Sequence, residues 1–341
     1  MTQTFMAMEV AEIPQVAARF LDQSRDAVAQ AAQALRQMQP GLVVTVARGS
    51  SDHAATYLKY AIELAAGIPV ASVGPSIASI YGRPLRLDGA ACIGISQSGR
   101  SPDIVEMMRA AGVGGALTVA ITNFADAPMA EASRHCLPLQ AGLEQSVAAT
   151  KTFVASVLAG LALLAEWQDD DALRTAVAGL PDAFAAALAL DWSPLSARLA
   201  RANSLYVLGR GPGFAIACEA ALKFKETCGL HAEAYSAAEV LHGPAAIVQA
   251  RFPVFAMGVD DAALPQLVAT AERLAAQGAD VFLTGAAAQG ATTLPSVAGL
   301  HPLVAPLVLI VGFYGFIEAL ARRRGFDPDT PPHLRKVTET V

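Results

Sequence analysis

The chain has little charge and few aromatic residues for its length. Of its 341 residues, 16% are charged and 6% aromatic, whereas 54% are hydrophobic. This composition excludes an intrinsically disordered protein and predicts large buried cores. The length exceeds one ordinary core and fits two domains of about 150 residues each. The net charge is −6 and no basic block occurs, so nucleic acid is not an expected partner.

Cysteine is scarce, and several cofactor motifs are missing. The four cysteines, Cys92, Cys136, Cys218 and Cys228, include no CxxC pair. They are predicted to be reduced core residues of a cytoplasmic protein without a metal site. No Gly-x-x-x-x-Gly-Lys loop is present, and Phe214 stands where a dinucleotide fingerprint needs its third glycine. We therefore expect no cofactor.

Hydrophobic runs long enough for a membrane are also missing. The most apolar segments, 153–165 and 303–317, are shorter than the about 18 to 20 residues that span a bilayer. Glu9 and Glu12 precede any apolar run, unlike the basic start of a signal peptide. We expect both apolar segments to be buried helices, and no membrane partner.

Short apolar runs alternate with Ala-rich helical segments along the chain. After a helical segment, 9–38, strands are predicted at 42–47, 90–95 and 116–121, with polar turns and helical patterns between them. This alternation is typical of a parallel sheet with helices on both faces. The predicted fold class is α/β, with a Rossmann-like arrangement of three layers.

The same plan starts again in the second half. A strand at 205–208 leads into Gly209-Arg210-Gly211-Pro212-Gly213 and a helix, and Leu58-Lys59-Tyr60 is echoed by Leu222-Lys223-Phe224. We interpret this as an internal duplication with a period of about 160 residues; two unrelated α/β domains are the alternative. The polar stretch 168–194 separates the halves. The predicted domains are a helical segment 1–40, a first domain 41–190, a second domain 191–326 and a tail 327–341.

Hydroxyl-rich turns follow two of the predicted strands. One is Ser96-Gln97-Ser98-Gly99-Arg100-Ser101, before a helix that begins at Pro102, and the other is Gly49-Ser50-Ser51. At the carboxyl edge of a parallel sheet, a helix N-terminus offers unpaired N–H groups and a positive dipole end. The added hydroxyls predict phosphate binding without a lysine. Plain helix capping by Ser101 or Asp103 is the alternative.

A second set of polar residues lies further along. Glu219, Lys223 and Glu226 are spaced to share one face of a helix. They line a catalytic cleft or, alternatively, form an exposed stripe of ion pairs. His242, before Gly243-Pro244, lies in a tight turn and is a candidate proton shuttle; a structural or exposed histidine is the alternative.

These motifs resemble a known family, the isomerase portion of glutamine–fructose-6-phosphate aminotransferase, with its two sugar-isomerase (SIS) modules. The Ser96–Ser101 turn is similar to the family's Ser-Gln-Ser-Gly-Glu-Thr phosphate loop. Residues 144–152 resemble its Glu-Ile-Gly-Val-Ala-Ser-Thr-Lys-Ala segment, and 221–244 match its most specific stretch. The tail Asp327-x-Asp329-x-Pro331…Leu334-x-Lys336 resembles its C-terminal sequence. The likeness implies two tandem SIS modules.

The resemblance also implies roles for individual residues. Glu226 would move a proton between C1 and C2, with Lys223 supporting it and the developing oxyanion. His242 would open the sugar ring from the neighbouring subunit of a homodimer. Lys336 would engage the carbonyl as a Schiff-base lysine, and the tail, frayed by composition alone, would be an ordered lid. The substrate phosphate and sugar would contact Gly49, Ser50, Ser51, Ser96, Gln97, Ser98, Ser101 and the Val147 backbone.

Several positions depart from the family pattern. Arg48 stands where the synthases have Cys, and Ala149 replaces a Ser that contacts a sugar hydroxyl. Pro332-His333 replaces Arg-Asn, and Arg335, a candidate substrate contact at C1 or C2, replaces Ala beside the proposed carbonyl lysine. Residue 2 is Thr and the first strand begins about 40 residues in, so we expect no glutaminase domain.

We therefore expect a phosphosugar enzyme that does not use glutamine. The favoured activity is that of a glucosamine-6-phosphate deaminase, which releases fructose 6-phosphate and ammonia. The first alternative is a fructosamine-6-phosphate deglycase or another aldose–ketose isomerase. The second alternative, from a different class, is a non-catalytic sugar-phosphate sensor. A sensor needs only the phosphate loops, so Glu226, His242 and Lys336 favour an enzyme.

Overall fold

The computed structural model describes residues 3–336. The strands there are β1 (Leu42–Val46), β2 (Val70–Ser72), β3 (Ala90–Ile95), β4 (Leu117–Thr122), β5 (His135–Pro138), β6 (Ser204–Gly209), β7 (His231–Ser236), β8 (Pro253–Ala256), β9 (Asp280–Leu283) and β10 (Ala291–Thr293). The first α-helices are α1 (Phe5–Ala11), α2 (Ile13–Gln23), α3 (Arg25–Met38), α4 (Ser50–Ala66), α5 (Ser76–Ser79), α6 (Pro102–Val113), α7 (Pro128–Glu131) and α8 (Lys151–Gln168). The remaining α-helices are α9 (Asp171–Ala178), α10 (Leu180–Ala187), α11 (Ser193–Leu199), α12 (Pro212–Cys228), α13 (Leu264–Ala276) and α14 (Ala305–Arg323). Two short 3-10 helices span Glu239–Leu241 and Pro244–Ile247.

Two compact units share the chain, and each contains one sheet. The first unit comprises Ile13–Glu144, Lys151–Gly179 and residues 335–336. The second comprises residues 3–12, Gln145–Thr150 and Leu180–Leu334. The predicted domain limits do not anticipate this exchange of segments, and they remain predictions.

In the first unit, five parallel strands lie in the order β2-β1-β3-β4-β5. The central strand, β3, is buried along its whole length. Helix α8 packs against α2, α3 and α4, whereas α6 packs against β1, β3 and β4. The unit is therefore the helix-covered parallel sheet that the alternating pattern predicts.

In the second unit, the five parallel strands lie in the order β10-β9-β8-β6-β7, with β6 in the place that β1 has in the first sheet. Each sheet's opening strand leads into a helix through a glycine: Gly49 has φ 55° and ψ −131°, and Gly211 has φ 56° and ψ −136°. Both helices have 17 residues and end at a left-handed glycine, Gly67 or Gly229. The repeated topology and turn geometry confirm the predicted duplication.

The two apolar segments of the sequence form α8 and α14. Within residues 3–336, α14 is the one helix long and apolar enough to cross a membrane, and 83% of its most apolar window is buried inside the protein. The aromatic ring of Phe313 on α14 packs edge-on against Phe224 of α12, with centroids 5.2 Å apart. Helix α8 is buried on nearly every side. Both are core helices, as predicted.

Candidate active site

The serine loop, Ser96–Ser101, connects the carboxyl end of β3 to α6. Ser96 is buried, and its Oγ accepts a hydrogen bond from the Gly99 N–H at 3.2 Å. The Ser98 Oγ accepts one from the Arg100 N–H at the same distance. These short-range bonds fold the loop back on itself and set the positions of its hydroxyls.

Glycine is required at the turn of this loop. Gly99 has φ 61°, and a Cβ there would lie 2.7 Å from both the Ala127 Cβ and the Thr122 Oγ1. Those contacts are closer than real side-chain carbons come, and L-residues rarely adopt such a φ. The loop therefore keeps its shape only with glycine at this position.

Plain helix capping does not account for the last serine of the loop. Ser101 occupies the N-cap position of α6, but its side chain makes no capping hydrogen bond. Asp103, the other residue considered for capping, lies inside the first turn and is fully buried. The Ser101 hydroxyl thus stands beside the helix N-terminus, which is a favourable position for an anion.

The glycine turn, Gly49–Ser51, follows β1 and opens α4. The Ser51 N–H donates to the Arg48 carbonyl at 3.1 Å, and both serines lie half-buried in the first helical turn. Burial raises the pKa of the neighbouring Asp52, and this outweighs the charges of His53 and Arg48, which lower that pKa. In the same sheet, β1 and β3 are adjacent parallel strands, so the glycine turn and the serine loop share one edge.

The predicted charged stripe on α12 is buried and forms one ion-pair network. Lys223 and Glu219 are fully buried, whereas the Glu226 side chain is 20% exposed. The Lys223 Nζ lies 2.5 Å from the Glu226 Oε2 and 3.3 Å from the Glu219 Oε1. The Tyr314 hydroxyl on α14 donates to the Glu219 Oε1 at 3.0 Å. The alternative of a solvent-exposed stripe is therefore wrong.

The charge of this network is held inside the protein by pairing. Burial alone lowers the pKa of Lys223, but the two carboxylates beside it outweigh burial and raise that pKa. The amine is therefore an ammonium at neutral pH, and it fixes the Glu226 carboxylate from one side. Because its side chain is partly exposed, Glu226 is the member of the network that a substrate can reach.

His242 lies in the turn between the two 3-10 helices and is exposed. Its backbone N–H donates to the Glu239 carbonyl at 2.9 Å, which makes the tight turn that the sequence predicted. Among the contacts described for residues 3–336, none joins the His242 side chain to Glu226. Its role in ring opening stays a prediction.

Lys336, the predicted carbonyl lysine, forms an ion pair in the first unit. Its Nζ lies 2.7 Å from the Oε2 of Glu144, a fully buried carboxylate. Glu144 also accepts from the Thr152 hydroxyl at 2.8 Å and from the Thr152 N–H at 3.1 Å. The adjacent Arg335 is exposed. The amine is thus occupied by Glu144, so a role as nucleophile would require this ion pair to open first.

In the second unit, helix α1 anchors the segment that contains Val147. The buried carboxylate of Glu9 accepts from the N–H groups of Gln145 and Ser146 and from the Ser146 hydroxyl. The Val147 N–H donates to the Asp329 carbonyl at 3.2 Å, and the Asp329 carboxylate accepts from the first N–H groups of α1. The tail around Asp329 is thus bound at a helix N-terminus.

Metal and thiol chemistry find little support in the described part of the chain. No group of three or more His, Cys, Asp or Glu side chains among residues 3–336 is placed to hold a metal ion. None of the four cysteines, all within residues 3–336, forms a disulfide bond, and burial raises the pKa of Cys92 to about 12. A buried thiol of this kind is a weak nucleophile at neutral pH.

Sequence reasoning missed three partners of the candidate residues. They are Tyr314, which donates to Glu219; Glu144, which pairs with Lys336; and Asp103, which pairs with Arg48. Along the sequence, each partner is separated by 55 to 192 residues from the group that it contacts. A lone tyrosine in the apolar run 303–317 was the one available signal, because a buried hydroxyl needs a polar partner.

Comparison with known protein families gives two matches, one in each half of the chain. The SIS domain model matches residues 39–166 and again residues 198–288. The chain belongs to the SIS-domain family. The first matched range contains all five strands of the first sheet and the second contains β6 to β9, which agrees with the tandem modules predicted from the sequence.

Known SIS proteins resemble the chain in sequence and in structure. The glutamine–fructose-6-phosphate aminotransferase of Zymomonas mobilis is 31% identical over 315 residues, which cover 86% of this chain and 51% of that protein. The chain thus spans about half the length of such relatives. A proposed phosphosugar isomerase from Silicibacter pomeroyi is 53% identical with a TM-score of 0.93, over 96% of this chain and all of that one. The glucosamine-6-phosphate deaminase of Thermotoga maritima has the same fold, with a TM-score of 0.76, 19% identity, and coverage of 99% and 100% of the two chains.

Proposed function

We propose that the SIS protein is an amino sugar phosphate isomerase and deaminase, which converts glucosamine 6-phosphate and water to fructose 6-phosphate and ammonia. In the open-chain aldehyde, a base removes the C2 proton and returns a proton to C1. The resulting C2 imine is hydrolysed, so that the C2–N bond breaks and nitrogen leaves as ammonia. The reaction as written needs no glutamine.

The Lys223–Glu226 pair is the observation that carries this proposal. A proton transfer between adjacent carbons needs one base that is fixed in orientation and reachable by substrate. Glu226 meets both requirements, because a buried ammonium 2.5 Å away holds it and a fifth of its side chain is exposed. The same ammonium is suited to stabilise the negative charge that develops on a neighbouring oxygen.

The serine loop and the glycine turn support a phosphorylated substrate. Their hydroxyls lie beside the N-termini of α6 and α4, where N–H groups and helix dipoles favour an anion. Because Ser101 is not used for capping, its hydroxyl is available to a phosphate oxygen. We assign Ser50, Ser51, Ser96, Gln97, Ser98 and Ser101 to phosphate binding.

The remaining assignments come from the family resemblance. We propose His242, from a second copy of the chain, as the residue that opens the sugar ring; its exposed position leaves the imidazole accessible. Lys336 is proposed to contact the open-chain carbonyl after it leaves Glu144. The deaminase of Thermotoga maritima has this two-sheet fold over its whole length, which supports deamination as a reaction of the fold.

Glu226→Gln tests the reaction directly. The variant keeps the shape of the side chain but removes the base, so we expect ammonia release from glucosamine 6-phosphate to fall by about 10² to 10⁴-fold. Substrate affinity, measured by calorimetry, is expected to stay within a few-fold of the wild type. Glu131→Gln, an exposed residue outside the candidate site, is the matched control.

Other products would redirect the proposal. Release of a free amino acid from a fructosamine 6-phosphate would identify a deglycase, and interconversion of ketose and aldose without ammonia would identify a simple isomerase. Binding without turnover of any of these compounds, unchanged in Glu226→Gln, would indicate a sensor. Failure to bind any sugar phosphate would overturn the assignment of the serine loop.

A further inference from the structure

Arg48 and Asp103 form an ion pair across the two turns of the first sheet. Arg48 lies two residues after the end of β1, and Asp103 lies in the first turn of α6, beyond the serine loop. The Arg48 Nη2 and Nε lie 2.6 Å and 2.9 Å from the same carboxylate oxygen, Oδ2. The Asp103 side chain is fully buried, whereas the Arg48 side chain is 52% exposed.

Backbone hydrogen bonds connect Arg48 to the glycine turn and Asp103 to the start of α6. The Arg48 carbonyl accepts the Ser51 N–H, so the backbone of Arg48 is part of the glycine turn. On the other side, the Asp103 Oδ1 accepts the Ile104 N–H at 2.9 Å, which fixes the carboxylate to the start of α6. A buried carboxylate that loses its cation is costly, so the partners hold each other firmly.

We propose, on the basis of the function proposed above, that Arg48 is a positioning residue for phosphate binding. By pairing with Asp103 it holds the glycine turn and the serine loop in one fixed arrangement. Hydroxyls from both can then donate hydrogen bonds to the same phosphate. Arg48 acts through Asp103 and not as a ligand of the phosphate. Preorganised donors bind an anion more tightly than donors that must be ordered on binding.

The second unit provides an internal comparison. Arg210 occupies the place of Arg48 after β6, but its Nη1 lies 3.3 Å from the Ser236 Oγ instead of a carboxylate. After β8, the counterpart of β3, the sequence is Met257-Gly258-Val259-Asp260-Asp261, without the serines. The arginine pairs with a buried aspartate in the module that has the serine loop, and with a serine hydroxyl in the module that lacks it.

Phosphate titration of a double-mutant cycle tests the proposal. Inorganic phosphate and glucosamine 6-phosphate are titrated by calorimetry into the wild type, Arg48→Ala, Asp103→Asn and the double variant. We expect each single variant to raise the dissociation constants of both ligands by about tenfold, which corresponds to the loss of one charge-assisted contact. The double variant should be no weaker than either single variant, because both remove the same pair. In turnover, KM should rise in parallel while kcat stays within about twofold of the wild type.

The control is Arg109→Ala on the same helix. Arg109 is exposed and forms a 3.8 Å ion pair with Glu106. Its loss removes an equal positive charge near the serine loop and leaves the Arg48–Asp103 ion pair in place. Wild-type affinity in this variant is expected, which separates positioning from a general effect of positive charge.

Two results would overturn the proposal. If Arg48→Ala weakens phosphate binding while Asp103→Asn leaves it unchanged or strengthens it, Arg48 binds phosphate directly. If neither single variant changes the affinity for phosphate, the Arg48–Asp103 ion pair has no role in phosphate binding. Should Asp103→Asn fail to fold, Arg48→Lys decides: a positioning role needs the two-nitrogen fork and predicts weak binding, whereas wild-type affinity contradicts it. If the wild-type protein binds neither phosphate compound, the proposed function fails instead.

Discussion

Lys223 is the residue on which the charge balance of α12 depends. It is one buried ammonium between two carboxylates, and only Glu226 of the pair has access to solvent. Burying charges is costly, and the two carboxylates beside Lys223 offset that cost by pairing with it. The Tyr314 hydroxyl completes the network on the Glu219 side.

Tyr314→Phe measures the contribution of that hydroxyl. Glu219 would keep Lys223 but lose a hydrogen bond in a fully buried position, so we expect the free energy of unfolding to fall by about 1 to 3 kcal/mol. The measurement is urea unfolding at pH 7. Tyr81→Phe, at an exposed tyrosine, is the matched control and should change stability by less than about 0.5 kcal/mol. Equal stability of the two variants would contradict a structural role for the Tyr314–Glu219 bond.

At the scale of secondary-structure elements, the serine loop depends on its glycine. Gly99→Ala would force a Cβ into Ala127 and Thr122, in addition to the strain of φ 61°. We expect a loss of stability of about 2 kcal/mol or more and a clear loss of phosphate affinity, since the loop must move. Gly67→Ala is the matched control, because Gly67 has φ 66° and nothing within 4 Å of a Cβ. Thermal unfolding and phosphate titration of both variants separate steric displacement from backbone strain; identical behaviour would show that the close contacts have no effect.

The elements themselves were largely predictable from the sequence, and the contacts between them were not. Short apolar runs predicted the inner strands of the first sheet, β1, β3 and β4, and strand β6 of the second, and Pro102 marked the start of α6. The stripe on α12 followed from helical spacing, and the serine loop followed from its position after a buried strand. The Arg48–Asp103 and Glu144–Lys336 pairs carry no local pattern, because tertiary packing alone brings their residues together. Hydrophobic periodicity and secondary-structure propensity are local properties of the sequence, so they contain no information on partners that lie far apart along the chain.

At the scale of the whole molecule, buried thiols in both units predict sensitivity to alkali. Burial raises the pKa of Cys92 to about 12 and the pKa values of Cys136 and Cys228 to about 11, from an ordinary 9.0. A pKa that is higher in the folded state adds stability below the unfolded value and loses it as pH rises toward the folded value. We therefore expect the free energy of unfolding to fall above pH 9, by about 1.4 kcal/mol per pH unit for Cys92 alone.

Urea unfolding between pH 7 and 10.5 checks this expectation, and Cys92→Ala is the informative variant. It should be less stable at pH 7, because a buried group is removed, yet its stability should fall less steeply above pH 9. The raised pKa of Lys223 adds a loss in the same direction at still higher pH. Parallel pH profiles of the wild type and the variant would contradict the role of this thiol.

The matching turns at Gly49 and Gly211 have a consequence for the history of the chain. Two modules with one backbone geometry carry different side chains: the serine loop in one, and the buried Lys223–Glu226 ion pair in the other. A single ancestral module that worked as a pair of identical copies would have had to carry both sets of side chains on every copy. Within one polypeptide that constraint does not apply, because each module can keep its own set of side chains.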